Sequence, residues 1–200
     1  MVDPVTSGGA SAPPTPRSAR TRRAVLDATA ELLAEGGLAA ATIDAIRDRS
    51  GVSKTTVYKH WPNRLCVAVD AFAEKLALET SLPDTGTARG DFTEQLRRVS
   101  AFYSSAVGSV FAQLLVNAVQ DPVAAAWLDQ RLQLSRRHGI TELWERAVAR
   151  REVRDDIDPD VAMDLLFGPL MWRVIAGRTP ITPGDADTIA EVALNGLLSP

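Results

Sequence analysis

Apolar residues recur at three- and four-residue spacing along most of this chain, and no segment alternates strictly between apolar and polar positions. The pattern predicts an all-α fold. Val25, Leu26, Thr29, Ala30 and Leu33 form the inward stripe of a first helix, which Gly36-Gly37 should end. Ile43 and Ile46 mark the inner side of a short second helix that Thr42 can cap, and Gly51 stands where its end needs a residue tolerant of positive φ. Ser53 can cap a third helix in which Thr56 and Val57 turn partly inward. Asn63 opens a longer one carrying Leu65, Val69, Phe72 and Leu76, and Ser81 to Gly90 reads as a loop. Helical stretches are expected over about 91–107, 109–119, 122–150 and 158–177, with a last helix from about Asp185 to Leu197.

The final two helices differ in pattern. Val161, Leu165, Leu166, Phe167, Leu170, Met171, Trp172, Val174 and Ile175 occupy nearly all sides of the first, more than one packed face absorbs. Ile189, Val192, Ala193, Gly196 and Leu197 give the second a narrow stripe. Two such helices from each of two chains would form a four-helix bundle, with Leu166, Leu170, Trp172, Ile189, Val192 and Leu197 as candidate interface residues. Gly168-Pro169 predicts a kink, because Pro169 removes a helix hydrogen bond.

Composition narrows the function. At 200 residues and 46% hydrophobic content the chain can bury a substantial core. One cysteine, Cys66, and two histidines, His60 and His138, leave little for metal or disulfide chemistry, and no metal or cofactor is expected. Cys66, beside Leu65 on an amphipathic helix, reads as a buried inert thiol. No apolar run approaches the roughly 20 residues of a membrane span, so a cytoplasmic protein is expected. The net charge of −3 is unevenly spread: Arg17 to Arg64 holds nine basic residues against five acids, Leu65 to Pro200 thirteen against nineteen. A basic head on an acidic body fits a protein that meets DNA through one face. Residues 1–18, rich in Pro, Gly, Ser and Thr, read as a disordered tail running into Arg17, Arg20, Arg22 and Arg23, of which the first could form an arm into a minor groove or serve equally as a solubilising leader.

The segment from Thr42 to Trp61 carries the sharpest signal. Two short helices about a Gly-centred turn form a helix-turn-helix, and the second presents Lys54, Thr55, Tyr58, Lys59 and His60 outward, a helix suited to a major groove. Arg23-Ala-Val-Leu, Ala30-Glu-Leu-Leu-Ala-Glu-Gly-Gly, Thr42-Ile, Ser50-Gly-Val-Ser-Lys, Val57-Tyr-Lys-His-Trp-Pro and Asn63-Arg-Leu occur in the order and spacing of the DNA-binding domain of TetR-type (TetR/AcrR) regulators. The chain resembles that family from about Arg20 to Phe72. One position departs: Arg47 stands where the family usually has Ala, with its stem placed to pack and its head within reach of a phosphate. Phe167-Gly168-Pro169-Leu170-Met171-Trp172 resembles a stretch that dimerises in one TetR subgroup.

The resemblance implies a disordered tail over 1–18, a DNA-binding head over 19–79 with the motif at 42–61, and a ligand-binding and dimerisation body over 85–200. It implies a homodimer bound to a near-palindromic operator, with repression as the family's commoner mode. Lys54, Thr55, Thr56, Lys59 and His60 are candidate base-edge or groove-wall contacts. Thr42, Tyr58 and Arg64 are candidate phosphate contacts, with Ser53, Arg47 and Arg20 alongside; Tyr58 and Arg64 rest partly on the resemblance. Trp61 belongs to the head's core. Family precedent puts a small-molecule pocket among the body helices, and Phe102, Phe111, Leu115, Trp127, Trp144, Phe167 and Met171 are its candidates here, suggesting a lipophilic effector. Aromatics at helical spacing serve equally as plain core. Gln113, Asn117 and His138 are polar groups that could orient a ligand. An enzyme would need a nucleophile with a base, paired carboxylates in a cleft or a phosphate loop, and no such motif occurs. An architectural DNA binder without operator preference or effector remains the alternative.

Overall fold

The computed structural model describes residues 16–135, 141–154 and 156–197. Residues 1–15 of the expected tail and His138 lie outside the described residues. Pro16 to Ser18, expected as the end of the tail, instead open the first helix, where proline's missing N–H is no loss.

Ten α-helices and no strand occur among the described residues: α1 (Pro16–Ala40), α2 (Ile43–Ser50), α3 (Lys54–His60), α4 (Arg64–Glu79), α5 (Ala88–Ser104), α6 (Phe111–Ala118), α7 (Pro122–Ser135), α8 (Thr141–Ala149), α9 (Pro159–Ile175) and α10 (Pro183–Leu197). The expected 109–119 helix begins as a 3-10 turn, Gly108–Val110, before α6. The expected 122–150 helix is two, α7 and α8, and 136–140 between them lie outside the described residues.

Gly36-Gly37 end the regular turns of α1, as expected: both leave helical geometry, and a short further stretch continues the element beyond the bend. Gly37 takes φ +64°, so the backbone requires glycine, and a Cβ there would lie 2.9 Å from Gln113 Oε1 and displace that amide. The bend turns Leu38 and Ala41 into the core, and Gln113 of α6 accepts the Leu38 N–H at 3.0 Å. The expected kink at Gly168-Pro169 does not interrupt α9, which runs through Pro169. The carbonyl deprived of its donor belongs to Leu165, on the open side of the helix, where solvent can serve it.

One apolar core runs from α1 to α10. Its centre is α4, buried continuously from Cys66 to Phe72, which packs on α1 and on α7. The Phe72 ring meets Phe102 and Phe111, each at 5.3 Å between centroids, and Tyr103 at 6.4 Å. Such aromatic pairs contribute about 0.5–1.5 kcal/mol each beyond their burial. Farther on, α10 packs against α5 and α9. Helices α1 to α3 are called the head below, and α5 to α10 the body.

Candidate nucleic-acid interface

The helix-turn-helix is built from its caps inward. Thr42 Oγ1 accepts the Ala45 N–H at 3.1 Å and starts α2. Gly51 ends it at φ +69°, its N–H donating to the Arg47 carbonyl at 2.9 Å. Ser53 Oγ accepts the Thr56 N–H at 3.3 Å and lies 2.9 Å from Thr56 Oγ1, opening α3. Ile46, Val57 and Trp61 are buried between the helices. Ser53→Ala is expected to lower stability by about 0.5–2 kcal/mol, measurable by thermal unfolding.

With that side of α3 locked inward, the other is open. Lys54, Thr55, Tyr58 and Lys59 are exposed, and Thr56 and His60 are half-buried at its margins. The His60 ring meets Trp61 edge-on at 5.5 Å. Lys54 Nζ lies 2.7 Å from Asp44 Oδ1, and Arg47 pairs with Asp44 at 3.0 Å and Asp48 at 2.6 Å. The Lys54 hydrogen bond, together with Arg47, holds the Asp44 carboxyl below its ordinary pKa. Arg47 is half-exposed, and the α2–α3 seam closes on Ile46 and Val57 without it. Arg20 is exposed on the first turns of α1.

Arg64 is placed differently from expectation. Its guanidinium donates to the Leu38 carbonyl at 2.9 Å and lines a cleft of about 460 Å³ with Gln113, Val116 and Asn117 of α6. It joins α4 to the bend of α1 through one of the five N–H donors of the guanidinium.

The candidate pocket residues are spread over the core of the body. Phe102 and Phe111 are spent on the ring cluster around Phe72, Trp144 packs near Phe92 with centroids 6.3 Å apart, and the Trp127 indole is bonded to Asp70. Phe167 is buried, and Leu115 and Met171 pack at the margin of the core. None of the seven lines the Arg64 cleft or a groove of about 680 Å³ between α9 and α10. Of the candidate interface residues, Leu166 and Leu170 are 0% exposed and Leu197 2%. They belong to the chain's own core instead: Leu166 and Leu170 lie on α9, which packs on α5, α6 and α10, and Leu197 lies on α10, which packs on α5 and α9. Trp172, 62% exposed, and Val192, 72%, face outward, with Ile189 half-buried beside them.

The sequence reading passed over Asp70. It is 3% exposed in the middle of α4 and accepts from Trp61 Nε1 at 2.8 Å, Trp127 Nε1 at 2.8 Å, Arg131 Nε at 2.5 Å and the Arg22 guanidinium. An acid among Val67, Ala68, Val69 and Ala71 on an inward stretch is the available signal, since a buried carboxylate demands donors. Which donors the fold supplies cannot be read from spacing, as they lie 48, 9, 57 and 61 residues away.

Comparison with known proteins gives the family. Residues 25–65 match the family described as bacterial regulatory proteins, tetR family, and residues 82–193 match the tetracyclin repressor-like C-terminal domain. The chain is 32% identical over 160 residues to the uncharacterized HTH-type transcriptional regulator YdeS of Bacillus subtilis, covering 80% of this chain and 81% of that protein. It is also similar to the solved TetR family transcription regulator SCO0332, at 30% identity and TM-score 0.80, covering 88% and 98% of the two chains. The regulator FadR of Bacillus subtilis, solved in complex with stearoyl-CoA, shares the fold at 17% identity and TM-score 0.64, covering 87% and 98%.

Proposed function

The chain belongs to the TetR family and is a DNA-binding transcriptional regulator rather than an enzyme; from that premise we propose that it acts as a homodimeric repressor, released from a near-palindromic operator by a small lipophilic ligand. The observation that carries the DNA reading is α3. Its inner side is fixed by Ile46, Val57 and Trp61, while Lys54, Thr55, Tyr58 and Lys59 stand exposed together. In this reading Lys54, Thr55 and Lys59, with Thr56 and His60, meet base edges and groove walls, and Tyr58, Thr42, Arg64 and Arg47 meet phosphates, with Ser53 and Arg20 as further DNA-binding residues. The division into a DNA-binding domain over 19–79, made of the head and the connecting helix α4, and a body over 85–200 follows the same reading.

The open face of α9 supports the dimer. Val161, Leu165, Gly168, Trp172 and Ile175 follow one another at alternating spacings of four and three, the seam of a helix packing against helices. Four of the five are large and more than half exposed, and Ile189, Val192 and Gly196 of α10 line the adjoining groove. An apolar face of this kind on a soluble helix marks an interaction surface. Two copies joined through it would carry two recognition helices to half-sites about 34–36 Å apart or a multiple of that.

A ligand-binding body has two supports. Gln95 Oε1 and Ser100 Oγ, on the buried side of α5, have no hydrogen-bond partner among the described residues, and buried polar atoms of this kind are where a ligand's polar end is held. FadR in complex with stearoyl-CoA is a precedent in the same fold for binding a molecule with a long apolar chain.

The test is binding of the purified protein to the DNA flanking its own gene, against a scrambled duplex, across a salt series. A specificity ratio above about 10³ is expected. Equal, salt-labile binding to both duplexes would replace the regulator reading with an architectural one. Lys59→Ala should weaken binding by roughly tenfold or more, and Tyr58→Phe by less, with the helical circular dichroism of both unchanged. Normal isotherms for both variants would remove α3 as the reading helix.

A further inference from the structure

Asp70 divides its donors by origin. Oδ2 accepts from the head, the Trp61 indole at 2.8 Å and the Arg22 guanidinium. Oδ1 accepts from α7 in the body, the Trp127 indole at 2.8 Å and Arg131 Nε at 2.5 Å. A second Arg131 nitrogen, 3.3 Å from Oδ2, spans the two sides. A carboxylate has about four acceptor sites, so both oxygens are saturated.

The donors on each side are rigidly placed. Trp61 is the residue at which α3 ends; its N–H donates to the Val57 carbonyl at 3.0 Å, and its ring is 1% exposed. Where the indole sits therefore fixes the last turn of α3. Trp127 and Arg131 stand one turn apart on α7, so both follow that helix when it moves. A second polar tie lies nearby. Asn63, which caps α4, donates from Nδ2 to Asp121 Oδ2 at 2.7 Å, and Asp121 Oδ1 accepts the Val123 and Ala124 N–H groups that open α7.

We propose that Asp70 is the positioning residue through which α7 sets the orientation of the recognition helix α3. The carboxylate holds Trp61 where the two donors of α7 hold the carboxylate. Apolar contacts between α4 and α7 tolerate sliding, whereas hydrogen bonds to a buried charge are directional and costly to stretch. A shift of α7 that lengthens the Trp127 and Arg131 contacts leaves the charge under-paired. The side chain follows α7, and Trp61 goes with it. The inference rests on the reading of α3 as the DNA-reading helix and adds a route from body to head built from named hydrogen bonds.

The experiment uses the full chain as wild type, Trp127→Phe, Arg131→Gln, Trp61→Phe and the Trp61→Phe/Trp127→Phe pair. Two quantities are read: affinity for the duplex chosen in the flanking-DNA assay, and amide hydrogen exchange over residues 54–61. Trp127→Phe and Arg131→Gln, both in the body, are each expected to weaken binding within the roughly 5- to 150-fold range of coupled sites. Both should speed exchange over 54–61 and leave protection in α9 and α10 at the wild-type level, which a general loss of stability would not do. The double variant should lose no more affinity than Trp61→Phe alone, because both act through one carboxylate. Wild-type affinity and exchange in the two α7 variants, or additive losses in the pair, would overturn the proposal. Should the wild type bind no duplex, the DNA reading fails, while the exchange measurement still decides whether α7 governs α3. Arg131→Gln keeps the test available if Trp127→Phe folds poorly.

Discussion

Asp70→Ala is expected to lower the stability of the fold by about 3–5 kcal/mol, the usual loss when one partner of a buried charge network is removed. For a chain of this length that is a fall in Tm of roughly 6–20 °C. The substitution leaves two indole N–H groups and two guanidinium groups directed at a space the carboxylate filled. Asp70→Asn keeps the volume and one acceptor oxygen, and should lose less. The loss carries a pH signature whose sign is fixed by the site. Burial by itself would raise the Asp70 pKa; Trp127, Trp61, Arg131 and Arg22 outweigh it and hold the carboxyl below its ordinary value. An unfolded aspartate titrates near about 3.9. The contribution is therefore fully present above that pH and is lost as pH falls below it toward the lower folded value. Thermal melts of wild type and Asp70→Ala should differ by a constant amount from about pH 5 upward and converge in acid. A difference that persists unchanged at about pH 3, or is absent at neutral pH, would show that the charge of Asp70 is not what the four donors stabilise.

The parts of this protein legible in its sequence are those whose physics is local. Thr42, Gly51, Ser53 and Asn63 act within four residues of themselves, and each takes the cap position that its type and spacing require. Trp61 reads as core because the proline after it ends the helix, and it is 1% exposed. The exposed side of α3 follows from the same short-range pattern.

What the sequence left open depends on the angle between helices. Periodicity shows that α9 has too much apolar surface for one face, but not which half turns inward; contact with α5, α6 and α10 assigns Leu166 and Leu170 to the core and leaves Leu165 and Trp172 outside. The packing of the body aromatics was not legible for a related reason. Helical spacing placed Phe102 and Phe111 on inward faces without showing that Phe72 of α4 fills the space between them. The partner of Arg64 was equally hidden, because the bend at Gly36-Gly37 is what brings the Leu38 carbonyl beside it. Asp70 combines both difficulties, with donors from α1, the end of α3, and α7.

Glutamate at both Leu165 and Val192 is expected to yield a folded monomer whose affinity for a full palindromic operator is about 10²- to 10⁴-fold lower. The two side chains are 53% and 72% exposed, so the substitutions leave the core of one chain untouched and should not change its own helicity. In a twofold interface each change occurs on both partners, so the pair places four carboxylates in an apolar seam where each must be desolvated. Loss of the dimer uncouples the two recognition helices. Each head then binds its half-site alone, without the effective concentration that the partner supplied. Light scattering on a sizing column reads the first step, and titration with a full palindrome beside a half-site duplex reads the second. Monomers that bind the half-site as wild-type heads do, but lose the full-site advantage, are the expected result. A dimer that survives both glutamates would move the interface away from the α9–α10 face, and a monomer with undiminished full-site affinity would mean that operator binding does not draw on two linked heads.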